Sequence, residues 1–197
     1  MKKSAFIAVS ALALLLSIAV GAYMSKMHAK LPLEHGTALD PPKPLDGIVL
    51  IDSKGLLVDK EDFKGHWTLL FLGYAHCPDV CPQSLGYLKG ELDQLEAKGV
   101  KVEVAFASVD SERDDPKGLS AFLAAVDSRF KGYIASETMV PKLTELFGVY
   151  LNKNADGTFS HSNAIFVLDP AAQWVAVYSQ LPMKGFLASD IKRIAMR

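Results

Sequence analysis

Cysteine is scarce in this chain: 197 residues contain two. That excludes a small scaffold stapled by disulfides. Acid is missing from residues 1–30, and charge of either sign is missing from Ser4 to Ser25. The chain also lacks an excess of one charge, with 21 Lys+Arg against 22 Asp+Glu and a formal net charge of −1. Four lysines (Lys2, Lys3, Lys26, Lys30) fall in residues 1–30, so the remainder holds 17 bases against 22 acids. A nucleic-acid binder normally shows a basic face, so no nucleic-acid partner is expected. Internal repeats, low-complexity tracts and sustained heptads are absent, which leaves a monomer as the default. What the chain does have is 50% hydrophobic residues, too many for a disordered protein. Its length allows one domain of about 150 residues plus an N-terminal segment.

The uncharged run Ser4–Ser25 would span about 33 Å as a helix, against roughly 30 Å of bilayer hydrocarbon. Residues 1–25 are therefore read as one transmembrane anchor. A cleaved signal peptide is the rival reading, with Ala19-Val20-Gly21 and Val20-Gly21-Ala22 as fair cleavage sites. Lysines flank both ends, so charge alone does not orient the anchor. A short tail before a large domain places residues 26–197 outside the cytoplasm, on the periplasmic side of the inner membrane. Residues 26–46 read as a tether, with Pro32, Pro41, Pro42 and Pro44 and no strand signal. Met24, Met27 and His28 are soft side chains whose place beside a membrane is read as incidental.

Residues 47–197 read as an α/β domain. Ile48–Ile51 and Leu56–Val58 flank a turn at Gly55 and predict a hairpin. Thr68–Leu72 is a short apolar run suited to a buried strand, and Gly73 to Cys81 then read as a loop. Pro82 opens a helix carrying Leu85, Leu88, Leu92 and Leu95 at helical spacing. Val102–Val109 is a second strand, followed by a helix from Pro116 to Val126, a short strand at Gly132–Ala135 and a helix at Thr138–Phe147. Phe159–Ser160 and Ala164–Leu168 look extended, a turn at 169–173 leads to a strand at Trp174–Tyr178, and Met183–Met196 closes as a helix. Strand–helix–strand, an inserted helical section, then hairpin–helix predicts a thioredoxin-like fold with an N-terminal hairpin.

The chemistry concentrates in Gly73-Tyr74-Ala75-His76-Cys77-Pro78-Asp79-Val80-Cys81-Pro82. Both cysteines lie there, between a buried strand and the positive end of a helix, which favours thiolate over thiol. Three intervening residues separate this loop from the two-residue spacing of thioredoxin-type redox motifs. A structural disulfide across so short a loop would remove little unfolded-state entropy. A structural zinc site would want four protein ligands. Of the five histidines, His28 and His35 lie in the tether and His66 is expected to face solvent. His76 is expected to point away from Cys77, since neighbours in extended chain alternate. His161 precedes the strand Ala164–Leu168, in the loop that faces the cysteine loop in thioredoxin-like folds. Redox members commonly carry a cis-proline there; here no proline occurs between Pro141 and Pro170.

Residues 73–82 closely resemble the signature of the Sco/SenC family of copper-binding proteins involved in cytochrome c oxidase assembly. Phe63-Lys64-Gly65-His66-Trp67 is similar to the family's lead-in to the strand. Ser108–Pro116 is similar to its loop after the second core strand. Phe159-Ser160-His161-Ser162 through Leu168-Asp169-Pro170 is similar to its histidine-bearing hairpin. The resemblance covers residues 47–197. Ala75 stands where the family often has a hydroxyl residue, and Gly148–Gly157 is less distinctive than its surroundings. Carried over by position, the resemblance implies that Cys77, Cys81 and His161 are copper ligands. It also implies a weaker supporting role for Asp110 and a charge-tuning or partner-contact role for Asp79.

That set suits the metal. Thiolates are soft and favour Cu(I), and imidazole serves both Cu(I) and Cu(II). One copper per monomer is expected. The same cysteines would form a redox-active disulfide outside the cytoplasm, so loading would need a thiol reductant or another copper donor. The expectation is a membrane-anchored copper chaperone, not an enzyme, that serves the binuclear copper centre of an oxidase subunit or maintains its thiols. The rival is a thiol–disulfide oxidoreductase or peroxide-reducing enzyme using the same two cysteines.

Overall fold

The structure, a computed structural model, describes residues 15–17 and 33–196, apart from the side chain of His161. The anchor apart from residues 15–17, and residues 26–32 of the tether, therefore lie outside the described residues. Among those described, no helix is long and apolar enough to cross a membrane. Residues 32–197 form one unit.

In chain order the strands and helices are β1 (Thr37–Pro44), β2 (Leu50–Asp52), β3 (Leu57–Val58), β4 (Trp67–Gly73), α1 (Val80–Ala97), β5 (Val102–Ser108), α2 (Pro116–Val126) and β6 (Lys131–Ile134). There follow α3 (Val140–Phe147), β7 (Leu151–Lys153), β8 (Phe159–His161), β9 (Ile165–Leu168), β10 (Gln173–Tyr178) and α4 (Phe186–Ala195). Eight strands make one sheet in the order β1-β10-β9-β4-β5-β6-β2-β3. β4, β5 and β6 run parallel, because α1 and α2 return the chain between them, and β9 joins β4 antiparallel. The architecture is the thioredoxin-like one the pattern predicted. β7 and β8 pair only with each other, in a separate two-stranded ribbon.

The central strand shows why the sheet is buried on both faces. Thr68 to Gly73 are all buried, in a strand too apolar to alternate. Leu70 and Leu72 enter a cluster with Phe147 of α3, Phe166 and Trp174. Phe71 meets Phe106 at 5.9 Å between ring centroids, and Phe106 meets Phe122 of α2 at 6.0 Å. Each such buried side chain contributes about 1.5–3 kcal/mol.

Two sequence-based readings change. The tether, expected to hold no strand, contributes Thr37–Pro44 as β1 on the sheet edge, paired with β10. Prolines hid it: they cannot donate to a ladder, yet an edge strand has one side with no neighbour, and the register shifts between Ala38 and Lys43. Buried Asp190 pins the chain just before it, accepting the N–H groups of Glu34 (3.0 Å), His35 (2.9 Å) and Gly36 (3.3 Å). The second change concerns α1, which begins at Val80 and not at Pro82. Cys81 thus belongs to the first helical turn, directly before Pro82.

Candidate metal centre

β4 ends at Gly73, and this position needs glycine for a reason of space. A Cβ there would lie 2.7 Å from Cys81 Sγ and 2.9 Å from the Phe106 ring. Beyond it, the Cys77 N–H donates to the Tyr74 carbonyl at 3.2 Å and turns the loop. Neither cysteine is in a disulfide and both are buried, Cys77 being 7% exposed and Cys81 0%. The Cys81 N–H donates to Cys77 Sγ at 3.3 Å.

The two sulfurs are not equivalent. Burial pushes the Cys77 pKa up, but hydrogen bonds from the Cys81 and Asp79 N–H groups, the Cys81 thiol and the Tyr74 hydroxyl outweigh it. The net shift is below the ordinary thiol value, as expected of a sulfur at a helix N-terminus. Cys81 is pushed well above that value, first by burial and then by the neighbouring Cys77 sulfur and Asp114.

Asp114 organises the loop. Its Oδ2 accepts the Ala75 N–H at 2.7 Å and the Ser108 hydroxyl at 2.6 Å, and its Oδ1 lies 2.8 Å from His76 Nδ1. That contact holds His76 on the side of a surface cavity of about 300 Å³ lined also by Arg113, Asp115 and Phe122. Asp79 occupies the cap position of α1 without capping it, and its carboxylate accepts from Gln83 Nε2 instead. Asp110 is buried; Oδ2 accepts from Arg113 Nε at 2.5 Å, while Oδ1 has no hydrogen-bond partner among the described residues. His35 stacks on Phe186 with centroids 3.9 Å apart. His66, expected to face solvent, is half-buried with Nε2 3.6 Å from Glu103 Oε1, because β5 lies alongside.

His161 ends β8, with its main chain opposite Leu151; its side chain lies outside the described residues. The chain on either side of it is tied to the cysteine-bearing elements. Two residues before it, the Phe159 N–H donates to Tyr74 Oη at 3.2 Å. Two residues after it, Asn163 Oδ1 accepts from Ser84 Oγ of α1 at 2.9 Å. Tyr74, Ser84, Asn163 and Asp114 escaped the sequence reading. Asp114 lay in a motif already singled out, but nothing in the sequence favoured it over Asp110.

A family profile described as SCO1/SenC matches residues 47–196. The chain belongs to the SCO1/SenC family. The mitochondrial SCO2 homolog of Homo sapiens is 31% identical over 151 residues, covering 73% of this chain and 57% of that protein. The chain thus spans less than two thirds of the length of the curated relatives it matches. Bradyrhizobium japonicum ScoI, solved with copper bound, is 32% identical with a TM-score of 0.65, covering 75% of this chain and 96% of that one. Apo Sco1 from Thermus Thermophilus is 32% identical with a TM-score of 0.66, covering 86% and 96%. Arabidopsis thaliana ScoI, also solved with copper bound, is 27% identical with a TM-score of 0.68, covering 77% and 97%. The SCO1/SenC match takes in the cysteine loop, the Asp114 loop and the β7–β8 ribbon together.

Proposed function

We propose that this chain is a membrane-anchored copper chaperone acting in cytochrome c oxidase assembly. It binds one copper through Cys77, Cys81 and His161. The observation that carries the reading is the approach of two buried thiols, with the Cys81 N–H bonded to Cys77 Sγ, to a strand hydrogen-bonded, with the residue after it, to the elements bearing them. Two thiolates and an imidazole form a soft donor set that holds Cu(I) without a fourth protein ligand. Asp110 Oδ1, buried and unpaired among the described residues, supports a role in orienting the imidazole, which wants an acceptor for its second N–H. The recipient is a copper-receiving oxidase subunit. The anchor at residues 1–25 holds the domain outside the cytoplasm; an alkaline phosphatase fused to the C-terminus that stays inactive in intact cells would refute that placement.

The test is anaerobic Cu(I) titration of the reduced full-length chain in detergent. One copper per monomer is expected, with tight binding lost in Cys77→Ser, Cys81→Ser and His161→Ala, the last keeping only the weaker affinity of the two sulfurs. Full stoichiometry and unchanged affinity in His161→Ala refutes the ligand set. Mixing the loaded chain with an apo oxidase subunit then tests delivery.

The unequal sulfurs favour one second reading, a thiol–disulfide reductant. Cys77 as thiolate would attack a partner disulfide, and Cys81 would displace the partner thiol to leave a Cys77–Cys81 disulfide. Turnover with a dithiol donor that survives His161→Ala would support it over delivery.

A further inference from the structure

The β7–β8 ribbon takes no part in the main sheet, so its place over the cysteine loop depends on side chains. Several of those contacts meet at Tyr74, which is 1% exposed. Its hydroxyl oxygen accepts the Phe159 N–H at 3.2 Å, and its proton goes to the Cys77 sulfur. Its ring meets the Phe159 ring edge-on at 5.1 Å between centroids. The Arg113 guanidinium carbon lies 5.7 Å from the Tyr74 ring centroid, and Arg113 reaches on to the Gly157 carbonyl at 2.5 Å.

We propose that Tyr74 is a positioning residue whose hydroxyl ties the strand carrying His161 to the sulfur of Cys77. This rests on the reading of Cys77, Cys81 and His161 as the copper ligands. A phenol offers one proton and two lone pairs, so it can serve the sulfur and the amide at once. Phenylalanine keeps the ring contacts with Phe159 and Arg113 but can make neither hydrogen bond. The two halves of the ligand set, 84 residues apart in sequence from Cys77 to His161, are thereby linked through one hydroxyl, beside the Ser84–Asn163 bond. Without it the ribbon samples more positions, and closing a copper site costs more conformational entropy.

The test uses the full-length chain in detergent, with Cu(I) affinity measured anaerobically by competition with a chromophoric chelator. Tyr74→Phe is expected to weaken copper binding about five- to tenfold, the worth of one or two hydrogen bonds. In a His161→Ala background the same substitution is expected to cost less than about twofold. Hydrogen exchange at the Phe159 amide is expected to quicken about tenfold, with α1 unchanged. An equal loss of affinity in both backgrounds overturns the proposal, because Tyr74 would then act through Cys77 alone. Unchanged affinity of Tyr74→Phe in the wild-type background overturns it as well. If His161→Ala binds copper as tightly as the wild type, the ligand set itself falls, and Phe159 exchange then decides whether Tyr74 holds the ribbon.

Discussion

The cysteine loop and the β7–β8 ribbon face the same proposed chemistry but are built differently. The loop grows out of the central strand, and its support is internal: Asp114, Ser108 and Cys81 in the first turn of α1 are all buried. The ribbon pairs only with itself. Its ties to the rest are single side chains, several of them exposed, such as the Lys153–Glu112 ion pair at 2.5 Å. Residues 151–153 and 159–160 are largely exposed or half-buried, whereas β4 is almost wholly buried. One half of the site is thus fixed by the core and the other is held by a few detachable contacts. That division suits a site that must bind an ion and later release it, since local opening draws on the weakly held region.

The comparison can be broken from the rigid side first. Asp114→Ala strands the Ala75 N–H and the Ser108 hydroxyl in a buried place. It is expected to cost about 2–4 kcal/mol in urea unfolding; a loss under about 0.5 kcal/mol would show that the loop does not depend on it. Gly73→Ala drives a methyl onto Cys81 Sγ and Phe106. A cost of about 1–3 kcal/mol is expected, together with weaker copper binding, and wild-type values for both would mean the loop yields freely.

On the ribbon side the effects should be smaller. Asn163→Ala removes the acceptor for Ser84 Oγ and is expected to cost about 1 kcal/mol or less, with faster exchange confined to residues near 160–163. Global rather than local loosening would erase the distinction between the two regions. The smallest effect is a pH response. Hydrogen bonding to Lys153 holds the Glu112 carboxyl below its ordinary value, and hydrogen bonding to Thr158 does the same for Asp156. A depressed pKa in the folded state means the stabilisation is complete above the ordinary carboxylate range and is lost as pH falls through the depressed values. Protection of ribbon amides, corrected for intrinsic exchange, should therefore fall below about pH 4 while that of β4 holds. Parallel loss in both would contradict the separate construction.

Much of this protein was legible before folding was considered. Thr68–Leu72 announced a buried strand because a central strand buries both faces. The α2 limits, Pro116 and Val126, were readable because Asp115 caps the helix by accepting the Lys117 and Gly118 N–H groups and proline fits the first turn. β1 was not legible, since its prolines suppress every local strand signal and only pairing with β10 makes it a strand. β7 was missed because three mostly exposed residues carry no periodicity.

By itself the sequence determined the two cysteines' spacing, their place after an apolar strand, the likeness to one family and the candidate histidine. These are local or additive properties, visible in residue order. Only the tertiary structure decided that Asp114 rather than Asp110 supports the loop, that Cys77 and Cys81 differ in acidity, and that the Tyr74 hydroxyl meets the N–H of Phe159, 85 residues away. Those outcomes depend on burial and on which donors arrive at which acceptors. No linear pattern encodes them, because the partners come from β5, α1 and the ribbon and meet only when the sheet has formed.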